Sequence, residues 1–182
     1  AARSGEARGA RWSEIDLRGK IWTVPAARMK AGRDHRVPLT APALAVLAEM
    51  AKLRQNDADA LVFPGSGGKM MSDMAMTALL RRMNETEAAG ELPPWRDAAG
   101  RPIVMHGFRS SFRDWAAEAT RHQREVAEAA LAHTLESKVE AAYQRGDMFE
   151  KRRVLMADWA AFCGRVMPAE GGQVVQMMAR EA

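Results

Sequence analysis

Apolar residues recur at intervals of three and four along most of the chain, which is the spacing of one face of an α-helix. The clearest stretch contains Leu44, Leu47, Ala48 and Ala51, and Pro42 stands before it at a typical helix start. The same spacing predicts further helices, one ending near residue 9 and others over 75–83, 107–120, 123–132, 135–142 and 149–163. The pattern therefore predicts a mainly helical chain.

Alternation of the kind found in strands appears in the first third of the chain. Residues 20–26 (KIWTVPA) alternate and are rich in β-branched and aromatic side chains. Residues 31–34 (AGRD) have the composition of a turn, and a second short apolar alternation follows at 35–39. Two antiparallel strands joined by a turn are predicted here, with Lys30 at the turn. Residues 61–64 (LVFP) predict one more short strand.

Aromatic residues and arginines are interleaved in one of the predicted helices. Phe108, Phe112 and Trp115 are expected to face the core of the protein. Arg109 and Arg113 would then project from another side of the same helix. The packed side is thus expected to position the two cations.

The composition is that of one globular domain, with 182 residues of which 47% are hydrophobic. Lys and Arg number 27 against 23 acidic residues, and a net charge of +4 permits a polyanionic partner without requiring one. No apolar run approaches the ~20 residues that cross a bilayer, so a cytoplasmic protein is predicted. The single Cys163 is expected in the core, which excludes a disulfide or a cysteine-based zinc site within one chain.

Three basic groups and the single tyrosine of the chain lie in its C-terminal half. His106 and Arg109 are three residues apart, so on a helix they would share a face and could reach one phosphate. His133 opens a short connection, and Tyr143 lies ten residues further on. A guanidinium, imidazoles and a phenol in one site are suited to phosphoryl transfer with the tyrosine as nucleophile.

Each of these signals also has an ordinary structural explanation. An isolated His-x-x-Arg is more often a surface pair, and an isolated tyrosine near a helix end more often belongs to a core or an interface. Arg3 and Glu6 share a helix face and could form a simple surface ion pair. An exposed lysine at a hairpin turn, such as Lys30, is usually only solvated. The histidines lack the spacing of a zinc site, and no metal is predicted.

The order of the basic residues and the tyrosine resembles the signature of the tyrosine recombinases. The pieces that carry the resemblance are His106-Gly-Phe-Arg109, Leu-Ala-His133 and Ala-Tyr143. Phage and genomic-island integrases are similar to this chain also at residues 1–17, 28–39 and 148–162. The whole series of arginine, lysine, His-x-x-Arg, histidine and tyrosine is far more specific than any single element.

The resemblance implies a fold of class α+β, mainly α: the helical DNA breaking-rejoining catalytic domain of these recombinases with a small antiparallel β-sheet. Residues 1–167 would form this domain, and residues 168–182 would be a C-terminal tail that is disordered or docks on a neighbouring subunit. Arm-binding and core-binding domains would lie upstream. We therefore expect the chain to be a piece of a longer protein.

The resemblance also assigns roles to the charged residues. Arg3 and Arg109 would hold the non-bridging oxygens of a DNA phosphodiester with permanently charged donors. Glu6 would support Arg3. Lys30 would act as the general acid that protonates the departing 5′ oxygen.

The remaining roles fall to the imidazoles and the phenol. His106 would accept the proton of the phenol and donate to the phosphate, and His133 would hydrogen-bond a non-bridging oxygen. Tyr143 would attack the phosphorus and form a 3′-phosphotyrosyl bond, which retains the energy of the ester. Strands could then be exchanged without ATP and without a cofactor or metal.

The partner implied by the resemblance is double-stranded DNA carrying attachment sites. A homo-tetramer on paired sites is the expected working assembly, with a monomer as the alternative for the isolated chain. Basic residues near the hairpin and on the helix after His106 could contact the DNA backbone: Arg28, Arg33, Arg36 and Arg113. The predicted reaction is integration or excision of a prophage or genomic island.

Two other functions remain open from the sequence. A type IB topoisomerase-like enzyme would share the catalytic residues and relax DNA without synapsis of specific sites, although the integrase-like pieces argue against it. A non-catalytic DNA-binding relic would keep the fold without turnover. A covalent adduct on a nicked DNA duplex separates catalysis from the relic.

Overall fold

The computed structural model describes residues 1–54, 57, 59–88, 95–97, 99–133 and 146–165. Its α-helices in this part of the chain are α1 (Ser4–Arg8), α2 (Ala41–Ala51), α3 (Ala75–Ala88), α4 (Gly107–Glu118), α5 (Arg124–Ala130) and α6 (Phe149–Cys163). The strands β1 (Ile15–Asp16), β2 (Ile21–Val24) and β3 (His35–Pro38) form an antiparallel sheet in the order β1-β2-β3. The predicted α+β, mainly α, fold class is confirmed.

Two predicted segments lie outside the described residues. They are the helix over 135–142, which precedes Tyr143, and the C-terminal tail at 168–182. The described residues contain no helix long and apolar enough to cross a membrane.

The predicted hairpin is confirmed. β2 and β3 pair in register, with Ile21 opposite Pro38 and Val24 opposite His35. Gly32 has a φ of +61° in the connection, a conformation that glycine adopts without steric cost. At residues 61–64, in contrast, isolated bridges to Arg11 and Met70 replace the predicted strand.

Two clusters of buried side chains hold the fold together. The first joins the sheet to α2 and includes Trp22, Val24 and Leu47. The second joins α4, α5 and α6 and includes Phe112 and Leu155, both with no exposed surface. Full burial of each such side chain contributes about 1.5 to 3 kcal/mol relative to its exposed state.

The packed face of α4 differs from the predicted one. Phe108 is 49% exposed, whereas Arg109 is only 8% exposed and lies on the inner face with Phe112 and Ala116. The prediction that Arg109 projects away from the packed side is therefore wrong. The guanidinium can be buried because backbone carbonyl oxygens accept its N–H groups, as described below.

Other helices also deviate from simple periodicity. In α2 only Leu47 is buried, and Ala48 and Ala51 are exposed. In α3 the buried residue is Leu80, while Leu79 is 49% exposed. A helix on the outside of a small domain needs only a narrow apolar contact, so methyl-sized residues of the predicted stripe remain in solvent.

Cys163 is exposed at the end of α6, so the prediction that it lies in the core is wrong. The aromatic residues near it pack with α4 instead. The ring of Trp159 lies 5.0 Å from that of Trp115 and 5.4 Å from that of Phe112, measured between centroids. These larger side chains fill the contact between the two helices, and the thiol is left on the outer side.

Candidate active site

Arg3 and Glu6 form the first part of the candidate site. The Arg3 Nη1 lies 2.7 Å from the Glu6 Oε1, and the Arg3 backbone N–H donates to Oε2 at 2.8 Å. Glu6 is 6% exposed. Burial alone would raise the pKa of the Glu6 carboxyl, but the two hydrogen bonds and the charges of Arg3 and Arg109 lower it below its ordinary value. Glu6 is thus a buried carboxylate that holds Arg3.

Arg109 lies beside this pair on the first turn of α4. Its Nη2 donates to the carbonyl of Leu131 at 2.7 Å, and its Nη1 donates to the carbonyl of Ala1. Burial and the nearby charge of Arg3 lower the pKa of the Arg109 guanidinium, while the Glu6 carboxylate opposes that shift. An arginine stays charged at neutral pH even so. Arg109 therefore carries its charge close to that of Arg3, and the Glu6 carboxylate offsets part of the repulsion.

His133 completes the cluster from the end of α5. Its Nε2 lies 3.4 Å from the Nη2 of Arg109, and its Nδ1 lies 2.5 Å from the Oε2 of Glu128. The other oxygen of Glu128 accepts a hydrogen bond from the Nε of Arg113 at 2.9 Å. The imidazole is thereby held between a guanidinium and a carboxylate.

A Schellman motif at the end of α5 brings His133 back over Glu128. The His133 N–H donates to the carbonyl of Glu128 at 3.0 Å, and the Ala132 N–H donates to that of Ala129 at 3.1 Å. Ala132 has a φ of +51°, the left-handed conformation that this motif requires. The backbone therefore places the imidazole and the carboxylate together, although five residues separate them.

The structure brings together four of the residues singled out in the sequence. Arg3 is hydrogen-bonded to Glu6, Arg109 contacts His133, and the charges of the first pair act on Arg109. An oxyanion that approached Arg3 and Arg109 would meet two charged donors with a histidine alongside. Within the described residues, no group of three or more His, Cys, Asp or Glu side chains could hold a metal ion.

His106 and Lys30 are placed by the fold but not joined to that cluster by a hydrogen bond. His106 directly precedes α4 and is exposed, and its carbonyl accepts the N–H of Arg109 at 3.0 Å. Lys30 is exposed in the turn of the hairpin. Tyr143 lies outside the described residues, four positions before Asp147.

The four arginines predicted to contact DNA have different surroundings. Arg33 is exposed in the hairpin turn. The Nη2 of Arg28 lies 2.5 Å from Glu14. Arg36 forms two hydrogen bonds with Asp147, at 2.8 and 2.9 Å, and Arg113 pairs with Glu128. Three of the four therefore already hold a carboxylate of the protein.

Sequence reasoning missed Glu128, which contacts the cluster, and the pair Asp147 and Arg152 at the start of α6. Glu128 holds His133, and Asp147 with Arg152 fixes the start of α6. Arg152 is 1% exposed and donates to the carbonyl of Arg36 at 2.6 Å. Arg152 had no signal, because it stands in a run of four charged residues at 150–153. Glu128 had no signal either, because its partner lies beyond the end of its helix.

His35 is a further residue whose environment the sequence did not reveal. It is partly buried on β3 and lies close to the backbone of Ala130 on α5. Burial, with the charge of Arg152, lowers the pKa of this imidazole to about 4, although Glu6 opposes the shift. His35 is therefore neutral at physiological pH and links the sheet to α5.

Comparison with known proteins agrees with the predicted family and fold. The model of the phage integrase family matches residues 1–149. A prophage integrase, IntA, of Escherichia coli K12 is 38% identical over 173 residues, which cover 95% of this chain and 38% of that protein. The integrase of enterobacteria phage P4 is 30% identical over 178 residues, covering 88% of this chain and 37% of that integrase.

The fold is thus a mainly helical domain in which Arg109 and His133 lie in contact, with Arg3 and Glu6 close enough for their charges to act on Arg109. The chain belongs to the phage integrase family. It spans about two fifths of the length of the curated relatives that it matches. No solved structure matches it significantly.

Proposed function

We propose that this chain is the catalytic part of a tyrosine-type site-specific recombinase that integrates or excises a prophage or genomic island. The observation that supports the proposal most directly is the placement of Arg109. Its guanidinium is buried, is close enough to Arg3 for that charge to lower its pKa, and lies 3.4 Å from the Nε2 of His133. Such a cluster of preorganised donors suits the negative charge that develops on a phosphodiester under attack.

The two arginines and His133 would bind the non-bridging oxygens. Each donor that stabilises such charge contributes about 3 to 4 kcal/mol in other enzymes, which makes a metal unnecessary for the charge balance. The Glu6 carboxylate keeps Arg3 in position and limits the repulsion between the two guanidinium groups.

Tyr143 is the proposed nucleophile. Its phenol, with an ordinary pKa of ~10, has to lose its proton as it attacks phosphorus. His106, at the exposed start of α4, is the proposed acceptor of that proton. The phosphorus–O5′ bond breaks as the phosphorus–phenolate bond forms, and Lys30 donates a proton to the departing oxygen.

The proposed product is a 3′-phosphotyrosyl bond with a free 5′ hydroxyl. A hydroxyl from a second strand can reverse the step and complete strand exchange. We propose that residues 1–167 form the catalytic domain. Its proposed substrate is double-stranded DNA that carries attachment sites, and the reaction takes place in the cytoplasm. Four copies are proposed to assemble on paired sites. The tail at 168–182 is outside the described residues.

A nicked duplex that carries the attachment site tests the proposal. Cleavage near the nick releases a short strand, so the covalent adduct is trapped. The chain, expressed with any sequence that flanks it in its gene, is expected to form an adduct that survives denaturing electrophoresis. Tyr143→Phe is expected to bind the same duplex and to form none.

The other outcomes decide between the alternatives. An adduct that Tyr143→Phe still forms would contradict the assignment of the nucleophile. Failure of the unmodified protein to form an adduct, with binding intact, would favour a non-catalytic relic. Relaxation of supercoiled plasmids without an attachment site, at the rate seen with one, would favour a topoisomerase-like activity.

A further inference from the structure

Glu128 lies outside the predicted site but contacts His133, one of the predicted site residues, through its side chain. Its Oε2 lies 2.5 Å from the Nδ1 of His133, and its Oε1 accepts from the Nε of Arg113 at 2.9 Å. Its side chain is 14% exposed. Both carboxylate oxygens are therefore committed to neighbours, and both contacts hold the carboxylate in one orientation.

The charge state of Glu128 determines which ring nitrogen of His133 carries a proton. Burial alone would raise the pKa of the Glu128 carboxyl, but the hydrogen bonds and charges of His133 and Arg113 lower it below its ordinary value. Glu128 is ionised at neutral pH and can only accept hydrogen bonds. The Nδ1 of His133 must therefore carry a proton and donate it to Glu128.

The other nitrogen of His133 then faces the place where an oxyanion would bind. Nε2 lies 3.4 Å from the Nη2 of Arg109, which is itself an obligatory donor. For Nε2 to donate to a phosphate oxygen it needs a second proton, taken from solvent. The resulting imidazolium would stand close to the Arg109 cation, and the Glu128 carboxylate balances that charge.

The Schellman motif at the end of α5 holds the backbones of Glu128 and His133 next to each other. Glu128 and His133 occupy the two positions that the motif joins by a backbone hydrogen bond, at 3.0 Å. The same two residues are then joined again through their side chains. Arg113 on α4 holds the carboxylate from the opposite side.

We infer that Glu128 is a positioning residue that acts through His133, fixing the imidazole with Nδ1 as donor so that Nε2 points at the phosphate. Arg113 is the support of Glu128, which is a different role from the DNA contact expected of it. The inference rests on the proposed function, because the phosphate is the group that His133 would serve. In other enzymes, too, a carboxylate that accepts the proton of one imidazole nitrogen fixes the orientation of a catalytic histidine.

A double-mutant cycle on the nicked duplex tests the inference. Glu128→Gln keeps the size of the side chain and removes its charge, and Glu125→Gln on the exposed side of α5 is the matched control. Glu128→Gln is expected to lower the rate of adduct formation roughly 10- to 100-fold. Glu125→Gln is expected to change that rate less than about twofold.

The second half of the cycle separates positioning from general damage. In a His133→Ala background, Glu128→Gln is expected to lower the rate of adduct formation less than about twofold, because the imidazole through which Glu128 acts is gone. An equal loss in both backgrounds would overturn the inference. So would a Glu128→Gln variant as fast as Glu125→Gln.

A spectroscopic measurement keeps the inference testable if Glu128→Gln does not fold. In the unmodified protein, ¹⁵N-edited NMR of histidine side chains should show a hydrogen-bonded proton on the Nδ1 of His133. Nδ1 without a proton at neutral pH would overturn the inference. If the unmodified protein forms no adduct, the proposed function fails while this signal still reports on the Glu128 contact, so the two failures are distinguishable.

Discussion

The buried guanidinium of Arg152 donates two hydrogen bonds to Asp147. Its Nε donates to the Asp147 backbone carbonyl at 2.7 Å, and its Nη2 donates to Oδ2 at 2.9 Å. A third hydrogen bond runs to the carbonyl of Arg36 on β3, and Arg36 in turn holds both oxygens of Asp147. The start of α6 is thereby fixed to the sheet, a short distance along the chain from Tyr143.

The two partners are expected to differ in their effect on stability. Asp147→Ala leaves a guanidinium that is 1% exposed without its carboxylate, and should lower the free energy of unfolding by about 3 kcal/mol. Arg152→Met leaves Asp147 half exposed and still paired with Arg36, so the free energy of unfolding should fall by only about 1 to 2 kcal/mol. Urea denaturation at pH 7 measures both.

Arg153→Met is the control for that comparison. Arg153 lies on the outer side of the Phe149 ring and pairs with the exposed Glu150 at 3.3 Å, so its loss should cost less than about 1 kcal/mol. The account is contradicted if Arg152→Met destabilises the protein more than Asp147→Ala does.

Ala132→Gly is expected to stabilise the protein. Ala132 is held at a φ of +51°, where a Cβ is unfavourable and glycine is not. The gain is expected to be about 0.5 kcal/mol, because the lost methyl is partly buried. Thermal or urea unfolding measures it. Ala129→Gly, inside α5, should instead destabilise by about 1 kcal/mol, and equal losses in the two variants would argue against the left-handed conformation of Ala132.

His35 is expected to make the stability depend on pH in the mildly acidic range. Its pKa is about 4 in the folded protein, lowered chiefly by burial, against an ordinary value of ~6.5 when unfolded. The unfolded state therefore binds about one more proton between those values, and stability falls as the pH drops from about 6.5 to 4. Urea unfolding across this range should show that slope, and His35→Gln should reduce it.

The outcome that contradicts this account is a slope shared by both proteins. His35→Gln changes no other titrating side chain, so the comparison isolates one imidazole. A variant that loses stability with acid as steeply as the unmodified protein would mean that His35 is already protonated at neutral pH or is solvated when folded.

Lys30→Ala is expected to slow the departure of the 5′ oxygen and to leave the binding of DNA unchanged. Loss of a general acid slows a reaction roughly 10²- to 10⁴-fold, so adduct formation on the nicked duplex should slow by that order. A substrate with sulfur in place of the bridging 5′ oxygen has a leaving group that needs no proton. The rate of Lys30→Ala on that substrate should return to that of the unmodified protein.

Lys52→Ala is the matched control for Lys30. Lys52 is an exposed lysine that pairs with Glu49 at the end of α2, and its loss should leave both rates unchanged. If sulfur does not restore the rate of Lys30→Ala, the lysine acts on binding rather than on the leaving group.

Local pattern was sufficient for several parts of the site. Arg3 directly precedes α1 and Glu6 lies three residues on, in its first turn, and their pairing follows from that spacing alone. The hairpin that carries Lys30 follows from alternation and from the glycine of its turn. Both features depend on neighbours in the sequence, which is the range over which periodicity and turn chemistry act.

The inner face of α4 could not be read from periodicity. Phe108 and Arg109 are adjacent, and hydrophobicity alone favours burial of the phenylalanine. The reverse occurs because the carbonyls of Ala1 and Leu131 converge on the guanidinium from two other segments. A buried cation needs acceptors, and their positions belong to the packing of the whole domain.

The sequence by itself determined the family, the helical architecture, the hairpin and the residue types of the site, because these follow from local spacing and from the order of residues along the chain. Only the tertiary structure decided that Glu128 holds His133 and that Asp147 is clamped between Arg36 and Arg152. Those contacts depend on how a helix ends and on segments more than a hundred residues apart, and hydrogen bonds act only over a few ångströms once the chain has folded.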